Sequence, residues 1–359
     1  MSKYLNTVIT GTGSYIPSKV VSNADFTSQI FFEKDNSPID SPGEEITRKF
    51  RDITGIYERR YVEANQSNAD IATIAAKRAI ESSGIDPETI DQIIVAHNFG
   101  DVISDSIQTD ILPSIASRVK NRLGIKSETC IPYDIVFGCP GWVQGVLQAH
   151  AYFKAGMAKR CLVIGSETLS RMVDRYDRDT MIFSDGAGAT IIEALEEDQP
   201  RGLLAQAVVS HTNEEVDYLY FGKSNSPGSD PNVRYIKMQG RKIFEYSLSN
   251  VPRAMKVALD ASGIDISEVK KILIHQANEK MDEAIVQRFY RLFGIRTDVY
   301  QLMPMNIQKL GNSSVATVPT LYDMILRGEI DNHTIHSGDV LIFASVGAGM
   351  NINAFVYRQ

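Results

Sequence analysis

Two stretches of the chain carry the same order of apolar and polar positions. Residues 79–96 read AIESSGIDPETIDQIIVA, and residues 258–275 read ALDASGIDISEVKKILIH. Each gives the end of a helix, a Ser-Gly-Ile-Asp stop, a few turn residues and then a run of β-branched apolar residues. The glycine supplies the positive φ that ends a helix, and an unbroken apolar run suits a strand buried on both faces. A second pair follows in the same order. Gly138-Cys139 precedes the helical GWVQGVLQAHAYFKAG, and Gly311-Asn312 precedes the helical SVATVPTLYDMILRG. A third closes each half, with Gly186-Ala187-Gly188 before ATIIEA and Gly347-Ala348-Gly349 before MNINAFVY.

Three correspondences in one order predict an internal duplication. The turn-rich EEDQPRG at 196–202 marks the seam, giving one half over 1–198 with the cysteine turn and another over 199–359 with the asparagine turn. Each half alternates strands and helices, so its strands are mainly parallel and covered by helices. Two such halves packed together predict an α/β fold, a five-layered α-β-α-β-α sandwich with a pseudo-twofold axis. On that axis Cys139 and Asn312 approach from equivalent turns, and His275, at the end of its repeated strand, converges on them. Two segments break the pattern. Residues 98–117 lengthen the link before the cysteine turn, and the polar 211–240 reads as an exposed loop or hairpin. The early GTGSYIP reads as a strand-end turn, since it lacks a phosphate-binding glycine spacing or a Walker lysine.

Composition narrows the function. With 359 residues, 43% hydrophobic and 23% charged, the chain is an ordinary globular protein, and a net charge of -7 argues against general binding to nucleic acid or anionic membranes. No stretch reaches the ~20 apolar residues that span a bilayer, and the first residues lack a secretory pattern, so the expected compartment is the cytoplasm. Three cysteines, Cys130, Cys139 and Cys161, make neither a disulfide framework nor a zinc spacing, and no metal is expected.

Taken alone, Cys139 reads as a small core residue, His275 as a strand-end histidine bonding locally, and Asn312 as an N-cap. Together they read as chemistry. A helix starting just after Cys139 offers free N–H groups and partial positive charge that stabilise a thiolate and an oxyanion. Gly138 and Gly141 admit a close ligand. His275 can serve as base or hydrogen-bond donor, and a neutral Asn312 amide can donate to an enolate oxygen. Cys161, inside CLVIG, reads as core, and His150 as packed on the buried face of its helix.

Those residues resemble the β-ketoacyl-acyl carrier protein synthase III family, of the thiolase fold. The likeness lies in Gly138-Cys139 before a helix, His275-Gln276-Ala277-Asn278, Gly311-Asn312-Ser313-Ser314, the run Ser184 to Ala189, and Arg51-Asp52-Ile53-Thr54-Gly55-Ile56 with Glu58-Arg59-Arg60. It implies a decarboxylative Claisen condensation of an acyl thioester with a malonyl-type thioester. Cys139 would carry the acyl group, with His275 and Asn312 binding the malonyl thioester carbonyl. The backbone N–H groups of Cys139 and Ala348 would form the oxyanion hole. The resemblance also places Arg178, Gly240, Phe244 and Asn278 along the pantetheine arm and Lys280 at carrier-protein docking, and Arg291, on the same face as Lys280 at helical spacing, is expected to join it there. It implies no cofactor beyond coenzyme A or acyl carrier protein thioesters, and a homodimer. The family's priming members hold adenine between an aromatic residue and arginine. Here Lys49 stands for the expected Trp and Ile53 for a second Arg, which points to a specialised, carrier-bound donor as in alkylresorcinol or polyketide pathways. The competing expectation is a thiolase-fold acyltransferase acting on an alcohol or amine without decarboxylation.

Overall fold

The computed structural model describes residues 3–106 and 108–359; Met1, Ser2 and Ile107, the last within the 98–117 segment, lie outside the described residues. Nine strands form one mixed sheet: β1 (Tyr4–Tyr15), β2 (Gln92–His97), β3 (Ile131–Val136), β4 (Arg160–Thr168), β5 (Asp185–Glu197), β6 (Gly202–Ser210), β7 (Val269–Ile274), β8 (Val340–Gly347) and β9 (Asn351–Arg358). Their spatial order is β7-β8-β9-β6-β1-β5-β4-β2-β3. The helices are α1 (Gly43–Thr54), α2 (Asn68–Ser83), α3 (Ile115–Leu123), α4 (Gly141–Lys154), α5 (Gly240–Ser262), α6 (Glu279–Arg291), α7 (Ile307–Leu310) and α8 (Thr317–Leu326).

The sheet narrows at its middle, where β1 and β6 share a single register pair, Thr7 with Gly202. On either side lie two sub-sheets, β1 to β5 from the first half and β6 to β9 from the second. Strand side chains alternate between faces, and here both faces are buried. Ile93 and Leu162 turn outward onto Ile71 and Ala75 of α2 and Val119 of α3. Their neighbours Ile94 and Val163 turn inward onto Trp142 and Val146 of α4. The second half mirrors this: Ile272 and Ile342 meet Met255 of α5 and Ile285 of α6, while Leu273, Leu341 and Phe343 join the inner core with Leu321 and Tyr322 of α8. Three apolar cores therefore separate five layers, α-β-α-β-α, with α4 and α8 in the middle one.

The repeated stops behave alike. Gly84 and Gly263 end α2 and α5 at φ 70° and 69°, and Asp86 and Asp265 cap the short 3-10 turns that follow. Gly138 and Gly311, before Cys139 and Asn312, have φ 74° and 63°. The third pair diverges: Gly186 to Gly188 lie inside β5, whereas Ala348–Met350 forms the turn between β8 and β9. The halves also differ by a strand. Where β3 flanks β2, the second half has an irregular stretch, from Val299 to Asn306, touching β7 through Ile272 N–H to Leu302 O at 2.8 Å.

GTGSYIP is not a turn, because β1 runs through it to Tyr15. Its glycines serve close packing: a Cβ on Gly11 would stand 2.4 Å from Ala79 O, and one on Gly13 2.5 Å from Ala75 O. The 211–240 segment contains the expected hairpin, Leu219–Gly222 against Tyr235–Met238. Within 98–117, Asp101–Val102 pairs with Thr109–Asp110, and Arg118 bridges Asp101 and Asp110 at 2.6 Å each. No described helix is long and apolar enough to cross a membrane.

Candidate active site

The inner layer decides where the site lies. α4 and α8 start from equivalent turns and their leading ends meet, since a Cβ on Gly141 would stand 3.2 Å from Val315. Cys139 and Asn312 therefore open onto one cavity. It measures about 320 Å³ and is lined by Cys139, His275, Asn312, Ser314 and Asn98, with an apolar wall from Phe99 and the 219–238 hairpin. The Phe99 and Phe221 rings stack at 4.8 Å between centroids. The hairpin, which the sequence reads as exposed, forms this wall. Lys237 pins it in place: its buried Nζ donates to Asp174, Asp177 and Asn225 at 2.6, 2.9 and 2.8 Å.

A second cavity of about 530 Å³ leads to the surface and shares Ile182, Met238, Ile243, Ala277 and Met281 with the chamber. The two form a continuous, largely apolar passage. Arg178, Gly240, Phe244 and Asn278 all line its outer part, together with Lys49 and Ile53. Asn278 stands at the mouth rather than the chamber and caps α6, its Oδ1 accepting from Met281 N–H at 3.1 Å. Arg178 is ion-paired with Glu33 at 3.1 Å and Lys49 with Glu45 at 2.6 Å. Lys280 is exposed in the first turn of α6, beside the mouth. Arg291 is in the last turn, about 16 Å along the axis at 1.5 Å per residue, so the structure does not bring it to the mouth.

Burial sets the protonation states. Cys139 was expected to lean toward thiolate at the start of α4; burial instead pushes its thiol up to about 11, opposed by the Ser314 hydrogen bond and aided by the nearby Glu167 carboxylate. His275 is 3% exposed, and burial pushes it down to about 4. Its Nδ1 is buried without a partner, leaving Nε2 as the nitrogen able to serve the chamber. The site thus holds a thiol and a neutral imidazole at neutral pH.

Asn312 is held on three sides. Its N–H donates to Ile182 O at 2.9 Å, its carbonyl accepts from Ser184 N–H at 2.9 Å, and its Oδ1 accepts from Ser314 N–H at 2.8 Å. The side chain makes an Asx turn rather than an N-cap, and with Oδ1 engaged its NH₂ is free for the chamber. Gln276 supports this arrangement. Its Nε2 donates to Pro304 O at 2.9 Å and its Oε1 accepts from Asn306 and Ile307 N–H at 3.0 and 3.1 Å. The proposed oxyanion groups are adjacent: a Cβ on Gly138 would stand 3.0 Å from Ala348 N, and one on Gly347 2.7 Å from Cys139 N.

Cys130 and Cys161 are fully buried in apolar clusters, as expected for Cys161. His150 is half-buried against Thr7 Oγ1 at 2.7 Å. The sequence pattern gives no role to Asn98 or Glu167, and marks Gln276 only as part of a motif. The available signal for Glu167 was a carboxylate two residues past the apolar run CLVIG, where burial on both faces is expected.

Comparison with known proteins places these segments. The family model described as 3-oxoacyl-[acyl-carrier-protein (ACP)] synthase III matches residues 133–211, and its C-terminal counterpart matches 259–359. The β-ketoacyl-[acyl-carrier-protein] synthase III of Erythrobacter litoralis is 31% identical over 356 residues, covering 99% of both chains. A Vibrio vulnificus protein of the same name is 32% identical over 351 residues, covering 98% of both. Among solved structures, 3-oxoacyl-[acyl-carrier-protein] synthase III from Aquifex aeolicus superposes with a TM-score of 0.80 at 28% identity, covering 99% of this chain and 100% of that one.

The depressed histidine gives a measurable consequence. An unfolded histidine titrates near 6.5, so as pH falls from about 6.5 toward 4 the unfolded chain gains a proton that folded His275 refuses. The folded state loses stability through that window. In NMR, the His275 ring signal, assigned by its loss in His275→Ala, is expected to titrate with a midpoint near 4; a midpoint near 6.5 would refute the buried, neutral imidazole.

Proposed function

The chain belongs to the 3-oxoacyl-[acyl-carrier-protein] synthase III family of acyltransferases, and on that footing we propose that Cys139, His275 and Asn312 carry out its decarboxylative condensation. The observation that carries the residue roles is the shared chamber, entered by one largely apolar passage. In the first half-reaction the Cys139 sulfur attacks the carbonyl of an acyl thioester. The Cys139 N–H and Ala348 N–H hold the oxyanion, the carbon–sulfur bond to the donor breaks, and the donor thiol leaves with the proton given up by Cys139.

In the second, a malonyl-type thioester takes the same passage. Its carbonyl oxygen accepts from neutral His275 and from the Asn312 NH₂, which stabilise the enolate as carbon dioxide leaves. The carbanion attacks the acyl-Cys139 carbonyl, forming the new carbon–carbon bond and expelling sulfur. Neutral donors suit this step: a histidine held near 4 stabilises the enolate oxygen without protonating the carbanion. The same depression makes it a poor base, which disfavours acyl transfer to an alcohol or amine, as does the presence of a free Asn312 amide that such transfer would not use.

The passage mouth bears on the donor. Both cations at the position of the family's adenine clamp are occupied by glutamates, Arg178 by Glu33 and Lys49 by Glu45, and Ile53 is 60% exposed. A clamp position with lysine in place of the stacking aromatic, and with its arginine already paired, favours a donor carried on acyl carrier protein, docking beside exposed Lys280. A second copy of the chain fits the far edge of the sheet. β3 is unpaired on its outer side, with Ile131 50% and Val136 72% exposed, next to exposed Ile103, Ile111 and Leu112. Open edges of this kind are normally covered, and a homodimer would cover this one.

Intact-mass measurement tests the chemistry. Cys139 is expected to gain an acyl group from a thioester donor, and Cys139→Ala to gain none. His275→Ala and Asn312→Ala should still be acylated yet lose condensation with malonyl carrier protein by at least about a hundredfold, the scale of losing one such donor. Acylation persisting in Cys139→Ala would defeat the assignment. On the donor, Lys280→Glu should raise the apparent KM for a carrier-bound substrate while leaving the coenzyme A thioester unaffected; fast priming by acetyl-coenzyme A over carrier-bound chains would count against carrier delivery. Sedimentation should find a particle of twice 39.8 kDa that Val136→Lys converts to the monomer, whereas a wild-type monomer would rule out the edge pairing.

A further inference from the structure

Three side chains from three separate segments form a directed line of hydrogen bonds that ends on the Cys139 sulfur. Glu167, at the end of β4, is 1% exposed. Its Oε2 accepts from the Asn98 backbone N–H at 2.7 Å and from Asn98 Nδ2 at 2.5 Å, while its Oε1 is buried without a partner. The same Asn98 Nδ2 donates to Ser314 Oγ at 3.1 Å, and Ser314 Oγ donates to Cys139 Sγ at 3.3 Å.

The direction of each bond follows from the one before it. An ionised carboxylate only accepts, so Glu167 fixes the Asn98 amide with its NH₂, not its oxygen, toward Glu167 and Ser314. That NH₂ can only donate. Ser314 Oγ is therefore an acceptor on its Asn98 side, and its single hydrogen is turned to the sulfur. Ser314 itself sits at φ 53°, a left-handed backbone uncommon for serine, held there by Asn312 Oδ1 on its N–H. Local backbone preference does not put this hydroxyl beside the thiol; the surrounding bonds do.

We propose that Glu167, Asn98 and Ser314 are positioning residues that hold a hydroxyl donor on the Cys139 sulfur and so favour the thiolate formed at acyl transfer. This rests on the reading of Cys139 as the acyl-accepting thiol. The line answers a specific difficulty of the site. Burial opposes a charge on the sulfur, and a donor aimed at it offsets part of that cost. Glu167 faces the sulfur from β4, His275 from beyond β7. Around Glu167 stand His97 from β2 and Asp185 from β5, and burial pushes the Glu167 carboxyl up to about 7. The orienting charge is thus least complete below neutral pH, where a protonated Glu167 still accepts through Oε2 but holds the Asn98 amide less strongly.

Alkylation of Cys139 tests the line without needing any substrate. Wild type, Ser314→Ala, Asn98→Leu and the double variant are treated at pH 8 to 9 with iodoacetamide and, separately, with bulkier N-ethylmaleimide, and modification is followed by intact mass against Cys139→Ala. Cys130 and Cys161 are fully buried and common to all. Loss of a hydrogen bond to a charged sulfur should slow alkylation about tenfold, one pKa unit. Both reagents should slow by the same factor, because the thiolate population rather than access has changed. Asn98→Leu should slow it in the same sense, and the double variant no further than Ser314→Ala, since both break one line. Unchanged or faster alkylation in Ser314→Ala, unequal factors for the two reagents, or a double variant slowed by the product of the single effects would each overturn the proposal. Should Ser314→Ala fail to fold, Asn98→Leu, which leaves the Ser314 backbone intact, decides by the same comparison of reagents. If no thioester acylates Cys139, the proposed function fails while the alkylation rates still judge the line.

Discussion

The burial of α4 and α8 between the two sub-sheets governs the rest of the molecule. Helices in that layer bury most of their surface, and both turn large apolar side chains into the inner core, Trp142, Val146 and Phe153 from one and Val318, Leu321 and Tyr322 from the other. Their leading ends cannot reach solvent, so the polar groups there must be satisfied inside the protein or left for a ligand. Each helix is entered through a glycine with positive φ, and the residue after that glycine is Cys139 in one case and Asn312 in the other. The chamber is therefore a consequence of the layer order.

Low polarity around those ends explains three protonation shifts by one cause. Burial raises the Cys139 thiol to about 11, lowers His275 to about 4 and raises Glu167 to about 7. Each moves toward its neutral form, as desolvation requires. A hydrolase working through a thiolate–imidazolium pair would need the opposite arrangement. A condensation that carries its charge on an enolate and a departing carboxylate gains from neutral donors fixed in advance, because they strengthen as charge develops and need no reorganisation. The carboxyl kept close, on Glu167, opposes charge on the sulfur through space but orients Asn98, which accounts for both of its hydrogen bonds.

What could be read from the sequence was whatever repeats or punctuates. The Ser-Gly-Ile-Asp stops and the two turn glycines follow from local backbone rules, so the duplication, the five layers and the meeting of Cys139, His275 and Asn312 were accessible. The GTGSYIP segment was misread because glycine ordinarily marks a turn, whereas Gly11 and Gly13 let α2 lie against β1. Arg291 shares a helix face with Lys280 but not a place, since periodicity fixes direction around an axis and says nothing about distance from the mouth. The contacts among Asn98, Glu167 and Ser314 join residues 69 and 216 positions apart. No local pattern encodes pairs of that kind, and a lone Asn or Ser has many commoner uses.

The duplication is most informative where it fails. In the first half β3 is a strand, and the cysteine turn is fixed by a ladder along β2. In the second, the matching chain from Val299 to Asn306 has no ladder, and its one backbone bond to β7 cannot hold the asparagine turn in register. Gln276 replaces the missing strand, binding Pro304, Asn306 and Ile307 through both ends of its amide. Its counterpart in the repeat, His97, instead accepts from Gly100 N–H and pairs with Asp134, which in turn caps α3. Equivalent positions thus anchor the two turns by different means. Because Gln276 directly follows His275, the residue that holds the asparagine turn also fixes the end of the strand carrying the imidazole. Two side chains that must meet one carbonyl oxygen are tied together by a single buried amide.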